Sequence, residues 1–387
     1  MELHELLLSA KEPENEFFKY KNLLTGSRLF CFNQSTNSRI IPEILTNSTK
    51  YHIVEIADYG NMFIFDANVI NGNPLITIAQ CIDFDSNIMS YLRNLVINGD
   101  YEEEFFNILK KIKMSNQQVS CVPYLLENGN NTYNIDKIKS YETLLAFSIF
   151  DLSSEDDFKN CSFSNYFKDV DVVLETDKRY NSMLEIQDNQ IPQLQAIYLL
   201  VLMAFFIKNS SKKSAENKLV NLIQTFIEET KNQLAYSELE LSVIFDYISN
   251  DRKNIFKSVN SYSKNLLSKL KSIAWDLYHI RLTEEQLAER NSNSSAVFLH
   301  SFFTADKGLK NVINNYPINR MLAHEGKMFV YRKNNIFEKI AGYKANILID
   351  LLDKDRNSRI SSIREGKFDI YNHIKIYEHK INEMISK

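Results

Sequence analysis

Apolar and polar residues alternate in short runs over the first part of the chain. The runs Tyr51–Ala57 and Met62–Phe65, separated by a short polar segment, predict a β-hairpin. A turn is predicted at Asn71–Pro74, because proline cannot continue a strand ladder. The following run, Leu75–Phe84, is predicted to be a strand. Residues 1–75 are therefore interpreted as a β-rich N-terminal extension.

Helical spacing starts after Phe84 and dominates the second half of the chain. Asp85 is suited to cap a helix that follows the strand. Residues 98–190 are irregular and are predicted to be an insertion. Further along, the spacing predicts helices over Leu194–Lys208, Lys218–Lys231, Ala235–Ser249 and Ser263–Arg290.

Two later apolar runs predict strands. Ala296–Phe303 is followed by Asp306 and a short helix, and Met328–Arg332 is a possible last strand. Residues 333–387 are predicted to form a helical C-terminal tail. Alternating strands and helices are typical of an α/β fold with a parallel sheet, whose ligands bind at the carboxyl ends of the strands. Asp85 and Asp306 are both predicted to lie there.

The amino-acid composition limits which class of protein this chain can belong to. The 387 residues are 44% hydrophobic and 24% charged, with a net charge of −4, so no general basic surface for nucleic acid is indicated. The cysteines, Cys31, Cys81, Cys121 and Cys161, lack zinc-ligand spacing and are interpreted as reduced, buried thiols. The N-terminus lacks a basic signal region, and the longest apolar run, Ala196–Ile207, is too short to span a bilayer. We therefore expect a cytoplasmic protein without membrane attachment.

Two predicted helices carry acidic residues beside apolar stripes. Asp276 lies between Ile273 and Ile280 in helical order, on the flank of a buried stripe. Glu240 is on the apolar face of its helix, whereas Glu238 is on the polar face. A carboxylate beside a core needs a partner, because an isolated buried charge is costly.

Four segments resemble the motifs of PIN-domain nucleases, in the order found in that family. They are IDFDSNIMSYL at 82–92, YSELELSVIFDYI at 236–248, SIAWDLYHIRL at 272–282 and FFTADKGLKNVI at 302–313. The resemblance covers about half of the chain. It departs from the family in the long gap between the first two motifs.

This resemblance implies a PIN-like, Rossmann-like parallel sheet flanked by helices, with a nuclease core over residues 76–332. It implies a metal-dependent hydrolase of phosphodiester bonds, acting on RNA in preference to DNA. Carboxylate oxygens suit Mg²⁺ or Mn²⁺. The family's metal ligands correspond to Asp85, Glu240, Asp276 and Asp306, and Thr304 would orient a carboxylate or a water molecule. Lys307, Lys310, His279 and Arg281 are candidate phosphate contacts by their proximity in sequence to these residues.

Alternatives remain open at this point. Asp66, in FIFDANVI, is a second candidate for the first ligand, but a turn follows it and we favour Asp85. Both Asp85 and Asp306 also suit simple helix caps, and Asp276 an ion pair. Competing functions are a non-catalytic PIN-like scaffold or binding protein and a haloacid-dehalogenase-like phosphatase, although Asn68 and Asn87 replace that family's second aspartate. The resemblance leaves open a homo-oligomer or an inhibitory protein partner.

Overall fold

The predicted strands on either side of the long helical segments are neighbours in the fold. Strand β4 spans Thr77–Phe84 and strand β6 spans Ala296–Thr304, and they pair in parallel along the whole of β4. Apolar, β-branched and aromatic residues fill most of both runs, which suits strands buried on a pleated surface. The parallel strands predicted from the order of elements are therefore confirmed.

The structure, a computed structural model, divides the chain into two units. The first comprises Met1–Asn189, Leu282–Ile313 and Pro317–Lys333, and the second comprises the remainder. Residues 1–75, predicted as an extension, and residues 98–189, predicted as an insertion within the core, belong to the same unit as β4 and β6. The residues that the structure describes are 3–32, 48–59, 62–66, 77–115, 117–129, 136–186, 191–231, 237–250, 255–259, 265–293, 296–324, 327–340, 342–353 and 369–386.

In the described part of the chain, the first unit contains two four-stranded sheets. One is mixed, with order β2-β6-β4-β5, in which β2 runs antiparallel to β6 and β5 runs parallel to β4. The other is antiparallel, with order β3-β1-β7-β8. The fold is therefore α/β, as predicted. The strands not yet given are β1 Arg28–Cys31, β2 His52–Glu55, β3 Phe63–Asp66, β5 Gln118–Ser120, β7 Ile318–His324 and β8 Lys327–Arg332.

Two predictions about strand pairing are wrong. The predicted hairpin does not form, because β2 pairs with β6 whereas β3 pairs with β1. Strand β8 was expected to extend the parallel sheet but pairs antiparallel with β7. A strand of only four residues has few side chains to specify its partner. Its pairing therefore depends more on contacts with neighbouring strands than on the turn that connects it to the next strand. The predicted turn at Asn71–Pro74 lies outside the described residues.

The segment predicted as an insertion is part of the core of the first unit. Phe84 of β4 contacts Phe147, with ring centroids 5.5 Å apart, and Phe303 of β6 contacts Phe105 at 5.9 Å. These rings belong to one buried cluster that covers a face of the mixed sheet. Without this segment that face would be exposed to water. Its helices span Glu103–Met114, Val122–Gly129, Lys137–Leu152, Glu155–Lys159 and Val170–Glu185.

The N-terminal region is not purely β-rich. The helices Leu3–Ser9 and Pro13–Lys19 precede the first strand and pack, through Leu7, Phe17 and other apolar residues, with β1 and β7. Burial of this apolar surface attaches both helices to the antiparallel sheet. The segment predicted as a β-rich extension therefore contains two helices as well as β1, β2 and β3.

The second unit is helical, as predicted. Its helix Pro192–Ser210 is long and apolar enough to cross a membrane by length and composition, but 67% of its most apolar window is buried within the protein. It packs against Ile370–Ile385 of the predicted C-terminal tail. A helix that is apolar on all sides is typical of a protein core as well as of a membrane span. The other α-helices that the structure describes in this unit are Ala215–Glu229, Glu238–Ile248, Ile336–Lys339, Tyr343–Asp353 and part of Leu266–Asn293.

A buried ion pair fixes one edge of the antiparallel sheet. The Arg28 Nε donates to Asp66 Oδ2 at 2.6 Å, and the two side chains are 7% and 2% exposed. Arg28 Nη1 also donates to the Ala296 carbonyl at 2.8 Å, where β6 begins. The guanidinium therefore links the antiparallel sheet to the mixed sheet within the first unit.

We predict that Arg28→Ala destabilises the protein by about 3–5 kcal/mol, because it leaves the Asp66 carboxylate buried without its arginine. Urea unfolding monitored by circular dichroism measures this change. Lys159→Ala, which removes an exposed pair with Glu155, should cost no more than about 1 kcal/mol. The double variant Arg28→Met, Asp66→Leu should recover much of the loss. A similar loss in the single and double variants would contradict this account.

Candidate active site

The carboxyl ends of β4 and β6 bring polar residues together. Side chains alternate along a strand, so Ile82 and Phe84 enter the buried apolar cluster while Asp83 lies on the other face. The strand register continues past the end of β4, since the Asp85 amide donates to the Phe303 carbonyl at 3.0 Å. Asp85 is thereby placed beside Thr304, the last residue of β6.

Asp85 accepts hydrogen bonds on both carboxylate oxygens. Thr304 Oγ1 donates to Oδ2 at 2.8 Å, and Asn87 Nδ2 donates to the same oxygen at 3.1 Å. The Ser86 amide donates to Oδ1 at 2.8 Å, as in an N-cap of the helix Ser86–Arg93. Asp85 is 8% exposed, so these donors replace much of its hydration.

Thr304 joins the two predicted aspartates. Its hydroxyl donates to Asp85 and accepts from the Asp306 amide at 2.9 Å. Asp306 Oδ1 in turn accepts from the amides of Leu309, at 3.1 Å, and Gly308 at the start of the helix Lys307–Asn315. Asp85, Thr304 and Asp306 therefore form one hydrogen-bonded group at the edge of two parallel strands.

Glu127 is an acidic neighbour that the sequence analysis did not identify. Ser86 Oγ donates to Glu127 Oε2, and the helix that carries Glu127, Val122–Gly129, packs against β4. That helix follows β5, a strand of only three residues without an apolar run. Because neither its strand nor its motif stands out in the sequence, only the fold associates Glu127 with Asp85.

Mutual repulsion and burial disfavour the charged forms of these acids. Burial raises the pKa of Asp85, hydrogen bonds from Thr304, Asn87 and Ser86 lower it, and the charge of Asp306 raises it further. The pKa of Glu127 is also raised, mainly by burial. The hydrogen bond from Ser86 acts in the opposite direction, and the charge of Asp85 adds to the rise. Two carboxylates near each other with raised pKa values are a site where a cation would be favoured.

Positive and neutral nitrogen groups flank this acidic group. His52 of β2 lies opposite Thr304 in the sheet, and its Nδ1 is 3.3 Å from Lys310 Nζ. Burial lowers the pKa of His52, and the charges of Lys310 and Lys307 lower it further. The lowered pKa favours the neutral form of the His52 imidazole. His52 is a candidate functional residue that the sequence analysis missed, because the strand pairing of β2 was predicted incorrectly.

Glu240 and Asp276 belong to the second unit. Glu240 accepts from the Ser237 amide at 2.9 Å in a capping box, and its Oε1 is 2.6 Å from Arg281 Nη2. These interactions account for the burial of Glu240, so no bound ligand is needed to explain it. Asp276 is half-buried on the helix Leu266–Asn293. The grouping of all four predicted acids remains a prediction.

Asp66, the alternative first ligand, occupies a different environment. It ends β3 in the antiparallel sheet and is held by Arg28. Asp85 follows a parallel strand and lies beside Thr304 and Asp306. This placement favours Asp85 over Asp66 as a member of the candidate site.

A second polar group lies on the same face of the mixed sheet as Asp85, further from the carboxyl ends of β4 and β6. Cys81, Asp83 and His300 each offer a metal-ligating atom, and these atoms lie within 4.8 Å of one another. His300 Nδ1 is 3.0 Å from Asp83 Oδ2. Burial raises the pKa of the Cys81 thiol to about 12, and the charge of Asp83 contributes in the same direction. Among the described residues no other trio of such donors is this close.

The chain matches no protein-family model, and neither a curated protein nor a solved structure is significantly similar to it.

The raised pKa of Asp85 predicts a pH dependence of stability. The folded protein holds this proton more tightly than the unfolded chain, so its stabilising effect is present below the unfolded pKa of about 4 and is lost as the pH rises through the folded pKa. Asp85→Asn removes this dependence and keeps a residue that caps helices well. In EDTA, the melting temperature of the variant minus that of the wild type should increase between pH 4 and pH 7.

Asp157→Asn is a control of opposite sign. Hydrogen bonds from Ser154 and Tyr166 lower the pKa of Asp157, so its charge contributes stability above the unfolded pKa that is lost as the pH falls. For this variant the same difference should decrease with rising pH. A difference for Asp85→Asn that is constant with pH would contradict the raised pKa.

Proposed function

We propose that the protein is a metal-dependent nuclease that hydrolyses phosphodiester bonds, with its centre at Asp85 and Asp306. The observation that carries this proposal is the hydrogen-bonded group of Asp85, Thr304 and Asp306 at the carboxyl ends of β4 and β6. Ligands of α/β sheets bind at this edge. The choice of phosphodiester substrates, and of RNA in preference to DNA, rests on the resemblance to PIN-domain nucleases.

The donor set fits a hard divalent cation. Asp85, Asp306 and Glu127 offer only carboxylate oxygens, which Mg²⁺ and Mn²⁺ prefer. The three carboxylates do not form a group as close as Cys81, Asp83 and His300, so a cation bound here would have to keep several of its waters, as Mg²⁺ commonly does. A bound cation would relieve the repulsion between the carboxylates and would supply charge neutralisation and an activated water.

The neighbouring side chains have roles that follow from their contacts. Thr304 positions Asp85, because its hydroxyl donates to the carboxylate and is itself held by the Asp306 amide. Lys307 is exposed and lies in sequence next to Asp306, so it is available to a substrate phosphate. Lys310 Nζ lies 3.3 Å from His52 Nδ1, so His52 would accept from this ammonium and position it.

Glu240 and Asp276 enter the proposal only through the resemblance. Both lie in the second unit, and Glu240 already pairs with Arg281. Mutagenesis tests them: loss of cleavage in Asp276→Asn with full cleavage in Glu238→Gln would assign Asp276 to the site. Full cleavage in Asp276→Asn and Glu240→Gln would confine the site to the first unit.

We predict that the purified protein cleaves single-stranded RNA with Mn²⁺ or Mg²⁺ and not with EDTA. Asp85→Asn and Asp306→Asn should reduce the rate by at least about 100-fold, because each removes a charge that faces the cation. Thr304→Val should reduce it by about 10- to 100-fold, as expected for a group that orients a ligand. Cleavage of a fluorescently labelled RNA measures these rates.

Asp169→Asn is the matched control for these substitutions. Asp169 caps the helix Val170–Glu185 through its side chain, as Asp85 caps its own helix, but it is exposed and lies outside the acidic group. This variant should cleave at the wild-type rate. Absence of metal-dependent cleavage of both RNA and DNA by the wild type would refute the nuclease and favour a non-catalytic scaffold.

We also predict that Mn²⁺ raises the melting temperature of the wild type and not that of Asp306→Asn. A cation that binds only the folded state stabilises it by mass action, by about 2.7 kcal/mol at 100 times the dissociation constant. Asparagine still caps the helix Lys307–Asn315, so the variant without metal should melt at the wild-type temperature or above it. A variant that melts clearly lower, with no effect of Mn²⁺ on either protein, would identify Asp306 as a cap only.

A further inference from the structure

We propose that Cys81, Asp83 and His300 bind one Zn²⁺ ion, in a structural site that joins β4 to β6. This site is separate from the proposed nuclease centre, and its ligands are different residues. It rests on three observations: the position of the three residues in the sheet, the unsatisfied polar atoms among them, and the chemistry of their donor atoms.

The sheet register places the three donors together. Cys81 lies directly opposite His300 in the parallel pair, and Asp83 follows Cys81 by two residues on the same face of β4. Their ligand atoms lie within 4.8 Å of one another. Zinc bonds of roughly 2.0–2.3 Å separate tetrahedral ligands by roughly 3.3–3.8 Å, so a small rotation of these side chains is sufficient for coordination.

Two buried atoms of this group have no hydrogen-bond partner among the residues that the structure describes. Asp83 Oδ1 and His300 Nε2 are both unsatisfied, and each residue is only 1% exposed. An unsatisfied buried polar atom destabilises the fold, and an unsatisfied oxygen of a buried carboxylate does so more strongly. The one hydrogen bond between the two side chains, from His300 Nδ1 to Asp83 Oδ2, leaves these costs in place. A cation that accepts electron pairs from both side chains would remove them.

The donor atoms favour zinc over the cations of the acidic edge. A thiolate, an imidazole nitrogen and a carboxylate oxygen form a mixed set that Zn²⁺ binds well and that Mg²⁺ and Mn²⁺ do not. Three protein ligands are one fewer than most structural zinc sites have, so a water molecule would have to complete the tetrahedron. Binding releases the proton of the Cys81 thiol to solvent and requires a neutral His300. Because the group is buried within the sheet, the ion would stabilise the strand pair and would not contact a substrate.

Cobalt titration of the full-length protein tests this site. Co²⁺ replaces Zn²⁺ in such sites, and a thiolate ligand produces a charge-transfer absorption in the near ultraviolet. We expect this band to saturate at one equivalent of Co²⁺ per chain and to disappear when Zn²⁺ is added. Cys81→Ser should abolish the band, and Asp83→Asn and His300→Gln should weaken Co²⁺ binding by at least about 10- to 100-fold.

Cys121→Ser is the matched control, because Cys121 and Cys81 are both 4% exposed and both thiols have a pKa raised by burial to about 12. This variant should keep the band. Absence of the band in the folded wild type, or its survival in Cys81→Ser, would overturn the proposal. If Cys81→Ser does not fold, the wild-type titration and the other two variants decide, with circular dichroism as the measure of folding.

The outcome is independent of the proposed nuclease. Asp85→Asn should retain the cobalt band, since Asp85 is not a ligand of this site. A protein that shows the band and lacks cleavage would refute the nuclease alone. A protein that cleaves RNA and lacks the band would refute the zinc site alone.

Discussion

The parallel pairing of β4 with β6 brings together Asp85 and Thr304 in one candidate centre and Cys81, Asp83 and His300 in the other. Parallel strands have their carboxyl ends at the same edge, so Asp85 and Thr304 become neighbours when Phe84 pairs with Phe303. The same register places Cys81 opposite His300. On the opposite face, aromatic rings of the segment 98–190 bury the apolar side chains of both strands. Apolar burial on one face therefore stabilises a polar arrangement on the other.

The buried acidic side chains of this protein occupy two kinds of environment. Some acids have a cationic partner, as Asp66 has Arg28 and Glu240 has Arg281, so their burial is compensated by an ion pair. Asp85 is surrounded by neutral donors and a second carboxylate, and its pKa is raised. A protein tolerates such an arrangement at a cost to stability. This contrast is the physical reason for assigning function to Asp85 and not to Asp66.

The two proposed centres differ in the atoms that they offer. The strand edge presents carboxylate oxygens with a hydroxyl between them, which suits hard cations and an exposed substrate. The interior of the same sheet presents sulfur, nitrogen and oxygen in a buried group, which suits zinc and excludes a substrate. One strand pair thus offers two donor sets of different softness, distinguished by their distance from the carboxyl ends of the strands.

By itself, the sequence determined the elements whose pattern is long and local. The strands β4 and β6, the helix that Asp85 caps and the helical second half follow from apolar periodicity and capping chemistry. Tertiary structure decided what depends on distant partners. Strands of three or four residues such as β2, β3 and β5 carry too little pattern to specify their neighbours, so His52 and Glu127 could not be associated with Asp85. The proximity of Asp83 to His300 likewise arises only when strands far apart in sequence pair, because no local spacing encodes that contact.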